Sequence, residues 1–151
     1  MAETRRTQIF MMIKMGEDNF LHSDITNLII KAFYKVYNTL GYGFLEKVYH
    51  NAMLIELRRM GLRCASLEPV RVYYEEFEVG YYVSDIKVNE CVVTELKAAV
   101  ALCEEHETIL VNYLRCTDIE VGIVLNFGKK PEFRRKVFSS KYKNHKKSSP
   151  S

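Results

Sequence analysis

The sequence predicts an α/β domain in which a mixed β-sheet is flanked by helices. Two segments with the apolar spacing of helices come first, and three strand-like segments joined by short turns follow them. A third helical segment then leads into a nearly continuous apolar strand, which is the pattern of a right-handed βαβ crossover. We therefore expect an antiparallel meander of three strands, with the next strand parallel to the third.

The two early helices are predicted from apolar residues that recur every three or four positions. The first helix begins with Ser23 or Asp24 as its N-cap and ends near Gly41. The second helix covers about 44–60.

The middle of the chain changes to the alternating pattern of strands. The first strand is predicted at 70–74, directly after Pro69, which indicates an edge position or a strand start. The second strand follows at 77–88 and the third at 91–98, each after a short turn. The remaining predicted elements are a helix at 101–115, an apolar strand at 119–127 and a short last strand at 133–138.

The length of 151 residues is typical of one domain with a sizeable core. We divide the chain into a loose leader (1–22), the domain (23–138) and a basic, disordered tail (139–151). Residues 129–151 hold nine Lys or Arg and one Glu, which gives this segment a net charge of +8. Because the net charge of the whole chain is +3, the other residues sum to −5. The basic charge is therefore concentrated at the C-terminal end.

Several classes of protein are disfavoured by the composition. The chain has no run of about 18 apolar residues, so we expect no membrane span. The apolar run at 9–13 is broken by Lys14 and has no cleavage site after it, so it does not predict a signal peptide. The four cysteines have no CxxC spacing and no His pair completes a zinc site, which favours reduced thiols. We expect a cytoplasmic protein, or a nuclear one in a eukaryotic or viral source.

The third predicted strand carries two charges in an apolar setting. Glu95 and Lys97 are two positions apart, so they point to one side of the sheet and Leu96 points to the other. Buried charges are unfavourable unless they have a partner or a function. Asp85, ten residues before Glu95 in another apolar strand, supplies a second carboxylate. The alternative is a half-exposed ion pair on a sheet face, since structural ion pairs also have this pattern.

Asp85 and Glu95 can form one site only if they face the same side of the sheet. A two-residue turn at 89–90 would pair Asp85 with Thr94, whereas a three-residue loop would pair Asp85 with Glu95. A bulge in either strand would have the same effect as the longer loop. The site hypothesis therefore requires an odd loop or a bulge.

A site with two carboxylates and a lysine suits a divalent cation. Two carboxylates about 4 Å apart repel by roughly 4 kcal/mol at an effective dielectric constant of about 20. Ligation by oxygen alone suits Mg²⁺ or Mn²⁺. Such an ion would polarise a scissile phosphate and lower the pKa of a bound water, and Lys97 would orient that water.

Motifs of a known family extend over roughly residues 24–138. The first is Gly-Phe-Leu-Glu-Lys-Val-Tyr at 43–49. The other matching positions are Glu68-Pro69-Val70, Gly80, Asp85, Glu95-Leu96-Lys97-Ala98, His106, Tyr113-Leu114 and Asn126-Phe127. With these motifs the chain resembles the GxxExxY proteins, a branch of the PD-(D/E)xK nuclease superfamily. The resemblance implies a restriction-endonuclease-like core, which agrees with the mixed sheet and flanking helices predicted above.

The resemblance also implies a role for each matching site residue. Asp85 and Glu95 would bind the metal together with the main-chain carbonyl of Leu96, and Lys97 would be the catalytic lysine. Glu46 would reach the metal directly or through water. The implied activity is Mg²⁺-dependent (or Mn²⁺-dependent) hydrolysis of phosphodiester bonds, with DNA as the expected nucleic acid.

Three further side chains are candidates for substrate contacts: Tyr49, His106 and Tyr113. Each competes with a plainer interpretation, such as core packing with a bonded hydroxyl for Tyr49 and a solvated helix residue for His106. The family usually has Gln four residues before the tyrosine of the later helix, where this chain has Ile109. Isoleucine cannot form the hydrogen bonds that Gln forms there.

Two alternatives to a nuclease stay open. Ile109 and the basic tail favour a non-catalytic nucleic-acid-binding or adaptor protein that keeps the nuclease fold. A structural interaction module with a vestigial site is the other. The oligomeric state is also open, with a homodimer among the alternatives.

Overall fold

The structure is a computed structural model, and it describes residues 21–143. Most of the predicted leader and the end of the predicted tail lie outside these residues. The first part of the tail is ordered, because residues 139–143 contain a 3₁₀ turn at Ser140–Tyr142 and Lys143 Nζ donates hydrogen bonds to the carbonyl oxygens of Thr117 and Ile119. No helix in residues 21–143 is both long enough and apolar enough to cross a membrane.

Two helices pack on one face of the sheet. Helix α1 is Ser23–Leu40 and helix α2 is Glu46–Arg59. The predicted N-cap of α1 is wrong, because Ser23 is already helical and His22, in the left-handed region, is the capping residue without a side-chain hydrogen bond. Gly41 ends α1 as predicted, with a φ of 71°.

The sheet has five strands in the order in which they occur in the chain. The β1–β2, β2–β3 and β4–β5 pairs are antiparallel, whereas β3 and β4 are parallel and are joined through helix α3. These elements are β1 Cys64–Tyr74, β2 Phe77–Val88, β3 Val92–Lys97, α3 Glu104–Arg115, β4 Val121–Phe127 and β5 Pro131–Val137. The structure confirms the predicted α/β class, with its meander and its parallel βαβ strand.

Strand β1 differs most from its predicted bounds. It begins at Cys64 rather than near residue 70, and it forms an edge of the sheet, as Pro69 indicated. The register between β1 and β2 shifts between Val72 and Tyr73, opposite Gly80. The hairpin therefore extends well beyond the part of the sheet that the helices cover.

The apolar core lies on both faces of the sheet. The larger part lies under α1 and α2, where Phe33, Tyr49 and Leu96 are buried. The smaller part lies under α3 and includes Val93 and Leu110. Alternate residues of β3 therefore contribute to different parts of the core, and both faces of this strand are buried.

Candidate active site

The loop between β2 and β3 sets the register of the two candidate carboxylates. Ile86 pairs with Thr94, and the loop consists of the three residues 89–91. This is the odd loop that the site hypothesis requires. The same register brings Asp85 opposite Glu95.

Asp85 ends the regular ladder between β2 and β3. Its side-chain Oδ2 accepts a hydrogen bond of 2.7 Å from the main-chain N–H of Leu96. The main-chain N–H of Asp85 in turn donates to Oε1 of Glu95 at 3.3 Å. Two carboxylates thus replace main-chain carbonyls as acceptors at the point where the strands separate.

The alternation of side chains along β2 reverses at the same point. Tyr82 packs against the core under α3, whereas Ile86 packs in the core under α1 and α2, although both have even numbers. On the neighbouring strand, Leu67 has a φ of 53°, in the left-handed region that costs a side chain about 1 kcal/mol or more. Asp85 therefore lies at a local irregularity that involves both strands.

The environment of Glu95 disfavours its negative charge. The residue is only 9% exposed. Burial, and then the adjacent charge of Asp85, raise the pKa of Glu95 to about 9, against the opposing effect of Lys97. In the absence of a cation, the Glu95 carboxyl therefore keeps its proton at neutral pH.

His50 holds the main chain of Asp85 from the α2 side. Its Nε2 lies 3.1 Å from the carbonyl oxygen of Asp85. His50 is four positions after Glu46 in α2, so the two side chains share a face of the helix. The signal that could have found it is this shared face, which the fold turns towards the end of the β2–β3 ladder.

A cleft of about 340 Å³ opens beside Asp85. The exposed carboxylate of Glu46 lies on this cleft and has no hydrogen-bond or ion-pair partner within residues 21–143. The cleft is lined by Glu46, Lys47, His50, Asn51, Leu67, Asp85 and Leu96. Glu95 is connected to it through its contact with Asp85, and Lys97 follows on the same side of β3 as Glu95.

The glycine-to-tyrosine motif at 43–49 shapes the loop that precedes Glu46. Gly43 has a φ of 109°, which favours glycine. The Tyr49 hydroxyl donates to the carbonyl oxygen of Gly41 at 2.6 Å and accepts from the N–H of Phe44 at 3.2 Å. Its ring is fully buried. This arrangement favours the packing interpretation of Tyr49 over a substrate contact.

The other two candidate substrate contacts also have structural partners. His106 Nδ1 accepts a hydrogen bond from the N–H of Cys103, which caps the start of α3. Tyr113 is 4% exposed and its hydroxyl interacts with Ser84, while burial raises the pKa of this hydroxyl. Ile109 is 39% exposed on the same helix. These contacts give the side chains of His106 and Tyr113 structural roles in the fold.

Asn126 is a positioning residue that sequence reasoning did not assign. It is fully buried and pairs with Lys97 across the β3–β4 ladder. Its side-chain amide accepts from the N–H of Ala99 at 2.9 Å and donates to the carbonyl oxygen of Ala99 at 3.0 Å. The chain is thereby fixed directly after Lys97. A buried amide at the end of an apolar strand was the available signal.

The carboxylates are only partly assembled. In the part of the chain that the structure describes, no three Asp, Glu, His or Cys side chains are grouped closely enough to form a metal cluster. Asp85 and Glu95 are in contact, and Glu46 lies across the cleft. The carboxylates of Glu46 and Asp85 line one cleft, and carboxylate oxygens are ligands that Mg²⁺ prefers.

A family model of the PD-(D/E)XK nuclease superfamily matches residues 23–136. The chain belongs to this superfamily. The match includes every element from α1 to the end of β4, and with them Asp85, Glu95 and Lys97. Nucleases of the PD-(D/E)XK superfamily generally use divalent metal ions and act on nucleic acids.

Comparisons with individual proteins give less information about this chain than the family model does. No curated protein matches the chain. Among solved structures, the one titled "Crystal structure of SSO0001" is 16% identical, with a TM-score of 0.49. The alignment covers 80% of this chain and 61% of that one. This chain therefore spans less than two thirds of the length of that solved structure.

Proposed function

We propose that this protein is a divalent-metal-dependent nuclease of the GxxExxY branch, which hydrolyses phosphodiester bonds in DNA. The metal expected is Mg²⁺, with Mn²⁺ as a substitute. Asp85, Glu95 and the main-chain carbonyl of Leu96 would hold it. Glu46 would contribute across the cleft, directly or through water.

The observation that carries this proposal is the contact between two carboxylates at the end of the β2–β3 ladder. Asp85 is fixed by the N–H of Leu96, and Glu95 is fixed against the N–H of Asp85. Most of Glu95 is buried, and among residues 21–143 the one cation that acts on its charge is the lysine two positions later. A divalent ion at this position would neutralise both carboxylates, which a single lysine cannot do.

Two groups of the chain would act on the substrate. Lys97 would donate hydrogen bonds to the scissile phosphate and orient the attacking water. Glu46 has no other partner in residues 21–143, so its carboxylate is available to the site. When bound, the metal supplies Lewis-acid stabilisation of the charge that develops on the phosphate.

Two buried contacts would keep these groups in place. His50 holds the main chain of Asp85, and Asn126 holds the chain directly after Lys97. Both contacts come from elements other than the strands that carry the site. A site on rigid strands that is supported from two sides favours precise positioning of the reacting groups.

Metal-dependent cleavage tests the proposal. Plasmid, single-stranded and branched DNA are incubated with Mg²⁺ or Mn²⁺ and the wild-type protein, the Asp85→Ala variant or the Lys97→Ala variant. We expect each substitution to lower the cleavage rate by about 10²-fold or more, because it removes a charge from the reacting centre. Lys31→Ala, on an exposed position of α1, is the matched control and should retain activity.

Cleavage that persists in both site variants would come from a contaminant and would overturn the proposal. The second candidate function is a non-catalytic nucleic-acid-binding protein, which Ile109 favours because its exposed side chain offers no hydrogen bond. Calorimetry separates the two candidates. Salt-sensitive DNA binding without uptake of Mg²⁺ or Mn²⁺ would support the binding protein. Light scattering of the same samples tests the homodimer alternative.

A further inference from the structure

We propose that a groove beside the site binds unpaired nucleotides, so that the preferred substrate is DNA with a single-stranded segment. This inference rests on the proposed function only for the choice of nucleic acid as the ligand. The aromatic groove has a volume of about 470 Å³ and lies between the loop before α2 and the chain after β3. Its main lining residues are Tyr42, Phe44 and Leu45 on one wall, and Ala98, Val100 and Lys129 on the other.

Both walls of the groove are adjacent in the chain to residues of the candidate active site. Leu45 is followed by Glu46, and Ala98 directly follows Lys97. A nucleotide in the groove would therefore contact residues that are one or two positions in the chain from Glu46 and Lys97, the groups proposed to act on a phosphate. This adjacency makes the groove part of the path of the substrate strand.

Two aromatic rings in the groove are exposed. Tyr42 is 56% exposed and Phe44 is 47% exposed. The Phe44 ring meets the buried Tyr49 ring edge to face, with centroids 6.1 Å apart, so one side of Phe44 is fixed and the other is open. An exposed ring of this kind can stack on a nucleobase, which contributes about 1–3 kcal/mol per base without sequence preference.

Hydrogen bonds from tyrosine hydroxyls hold both walls of the groove. On the first wall, the Tyr49 hydroxyl bonds Gly41 and Phe44. On the second wall, the Tyr37 hydroxyl lies 2.8 Å from the carbonyl oxygen of Gly128 and 2.7 Å from that of Lys129. A groove that is formed before binding loses little conformational entropy when a ligand enters.

Charge complementarity favours nucleic acid as the occupant. Lys129 lines the groove and Lys130 follows it in the chain; both are exposed, and neither forms an ion pair within residues 21–143. No carboxylate lines the groove itself. The tip of the β1–β2 hairpin also exposes aromatic rings, but its turn consists of Glu75 and Glu76, which would repel phosphates.

The geometry of stacking selects unpaired nucleotides. In a duplex, both faces of each base are covered by its neighbours, so an aromatic side chain cannot reach them without unstacking. A single strand, a flap or a branch presents free base faces at no such cost. The groove therefore discriminates between single-stranded and fully paired DNA.

Binding without chemistry tests this inference. The affinities of fluorescently labelled oligothymidine and of a blunt hairpin duplex are measured by anisotropy with the full chain in EDTA. We expect the single strand to bind more tightly than the duplex. Tyr42→Ala should weaken single-strand binding by about 5-fold or more, as expected for the loss of one stacked base. The double variant with Phe44→Ala should weaken it further, whereas Tyr42→Phe should bind like the wild type.

Tyr74→Ala is the matched control, because Tyr74 is 67% exposed at the acidic hairpin tip. Its single-strand affinity should be unchanged. Tyr42→Ala is the decisive variant, since its ring is mostly exposed and its loss should leave the melting temperature unchanged. Equal binding of single strand and duplex would overturn the inference. An unchanged single-strand affinity of Tyr42→Ala would do the same, and with an altered oligomeric state it would assign the groove to a contact between two copies of the chain.

The outcomes for the groove and for the nuclease proposal are separable. Single-strand binding that depends on Tyr42, together with no metal-dependent cleavage, would support the groove and contradict the nuclease. Metal-dependent cleavage that is equal on single-stranded and duplex DNA would support the nuclease and contradict the groove.

Discussion

Strand β3 pairs with its two neighbours in different ways. With β4 it forms an unbroken parallel ladder from Val92 to Lys97. With β2 the regular pairs end at Ile86 and Thr94, and Asp85 replaces the next main-chain acceptor with its carboxylate. One edge of β3 is thus a continuous ladder, whereas the other ends at the two carboxylates of the candidate site.

The two edges also differ in how their buried polar groups are satisfied. On the β4 side, the buried amide of Asn126 makes two hydrogen bonds with Ala99. On the β2 side, Glu95 has a carboxylate as its neighbour, and the buried hydroxyl of Thr94 has no partner in the described structure. Substitutions on the two edges should therefore have opposite effects on stability.

The largest effect is expected on the β4 edge. Leu125 is fully buried under α1 and α2, opposite Leu96, so Leu125→Ala should lower the free energy of unfolding by about 2–5 kcal/mol. Urea denaturation measures this change. Leu67→Ala, at a side chain that is 61% exposed beside the cleft, is the control and should change it by less than about 0.5 kcal/mol. Equal losses in the two variants would remove the distinction between the edges.

The second effect concerns Glu95 and depends on pH. Because the pKa of Glu95 is raised to about 9 in the folded state from an ordinary value of 4.5, its contribution to stability is complete below pH 4.5 and is lost as pH rises towards 9. Glu95→Gln should remove this loss and increase the free energy of unfolding by about 1–3 kcal/mol at pH 8 in EDTA. Urea denaturation at pH 5, 7 and 9 tests it.

Glu46→Gln is the control for that series, because Glu46 is exposed and should leave the pH profile unchanged. Parallel profiles for the wild type and the Glu95→Gln variant would contradict the assigned environment of Glu95. The β2 edge would then be no less stable than the β4 edge.

The smallest effect is expected at Thr94. Thr94→Val removes a buried hydroxyl without a partner and keeps the shape of the side chain, so it should increase the free energy of unfolding by up to about 1 kcal/mol. Thr26→Val is the matched control, because the Thr26 hydroxyl donates to the carbonyl oxygen of Ser23 and its loss should be destabilising. The same sign in both variants would show that Thr94 has a partner in solution.

Much of the fold could be predicted from the sequence. The helices and strands have clear periods of apolar residues, and their order with short connections permits few topologies. The pattern of β2 predicted its bounds, 77–88, and the odd loop at 89–91 was a stated condition of the site. Element ends were less predictable, as at Ser23, because caps depend on a single backbone conformation.

The details of the candidate site were beyond the sequence for physical reasons. The reversal of alternation at Asp85 coincides with one unusual backbone angle in the neighbouring strand, that of Leu67, and has no signature in composition. The contacts of His50 and Asn126 join residues that are far apart in the chain. Motif matching found Tyr49 but could not show that its hydroxyl holds the loop before Glu46.

The reversal at Asp85 also divides the β1–β2 hairpin into an inner and an outer part. The inner part is held in register by the loop at 89–91 and by β3, whereas the outer part, from Glu68 to Val83, has its side chains turned the other way and is largely uncovered. A change of length or sequence in the outer part can therefore be absorbed without rotating Asp85 or Glu95. Evolution could remodel this hairpin for new partners while the carboxylates beneath it remain fixed.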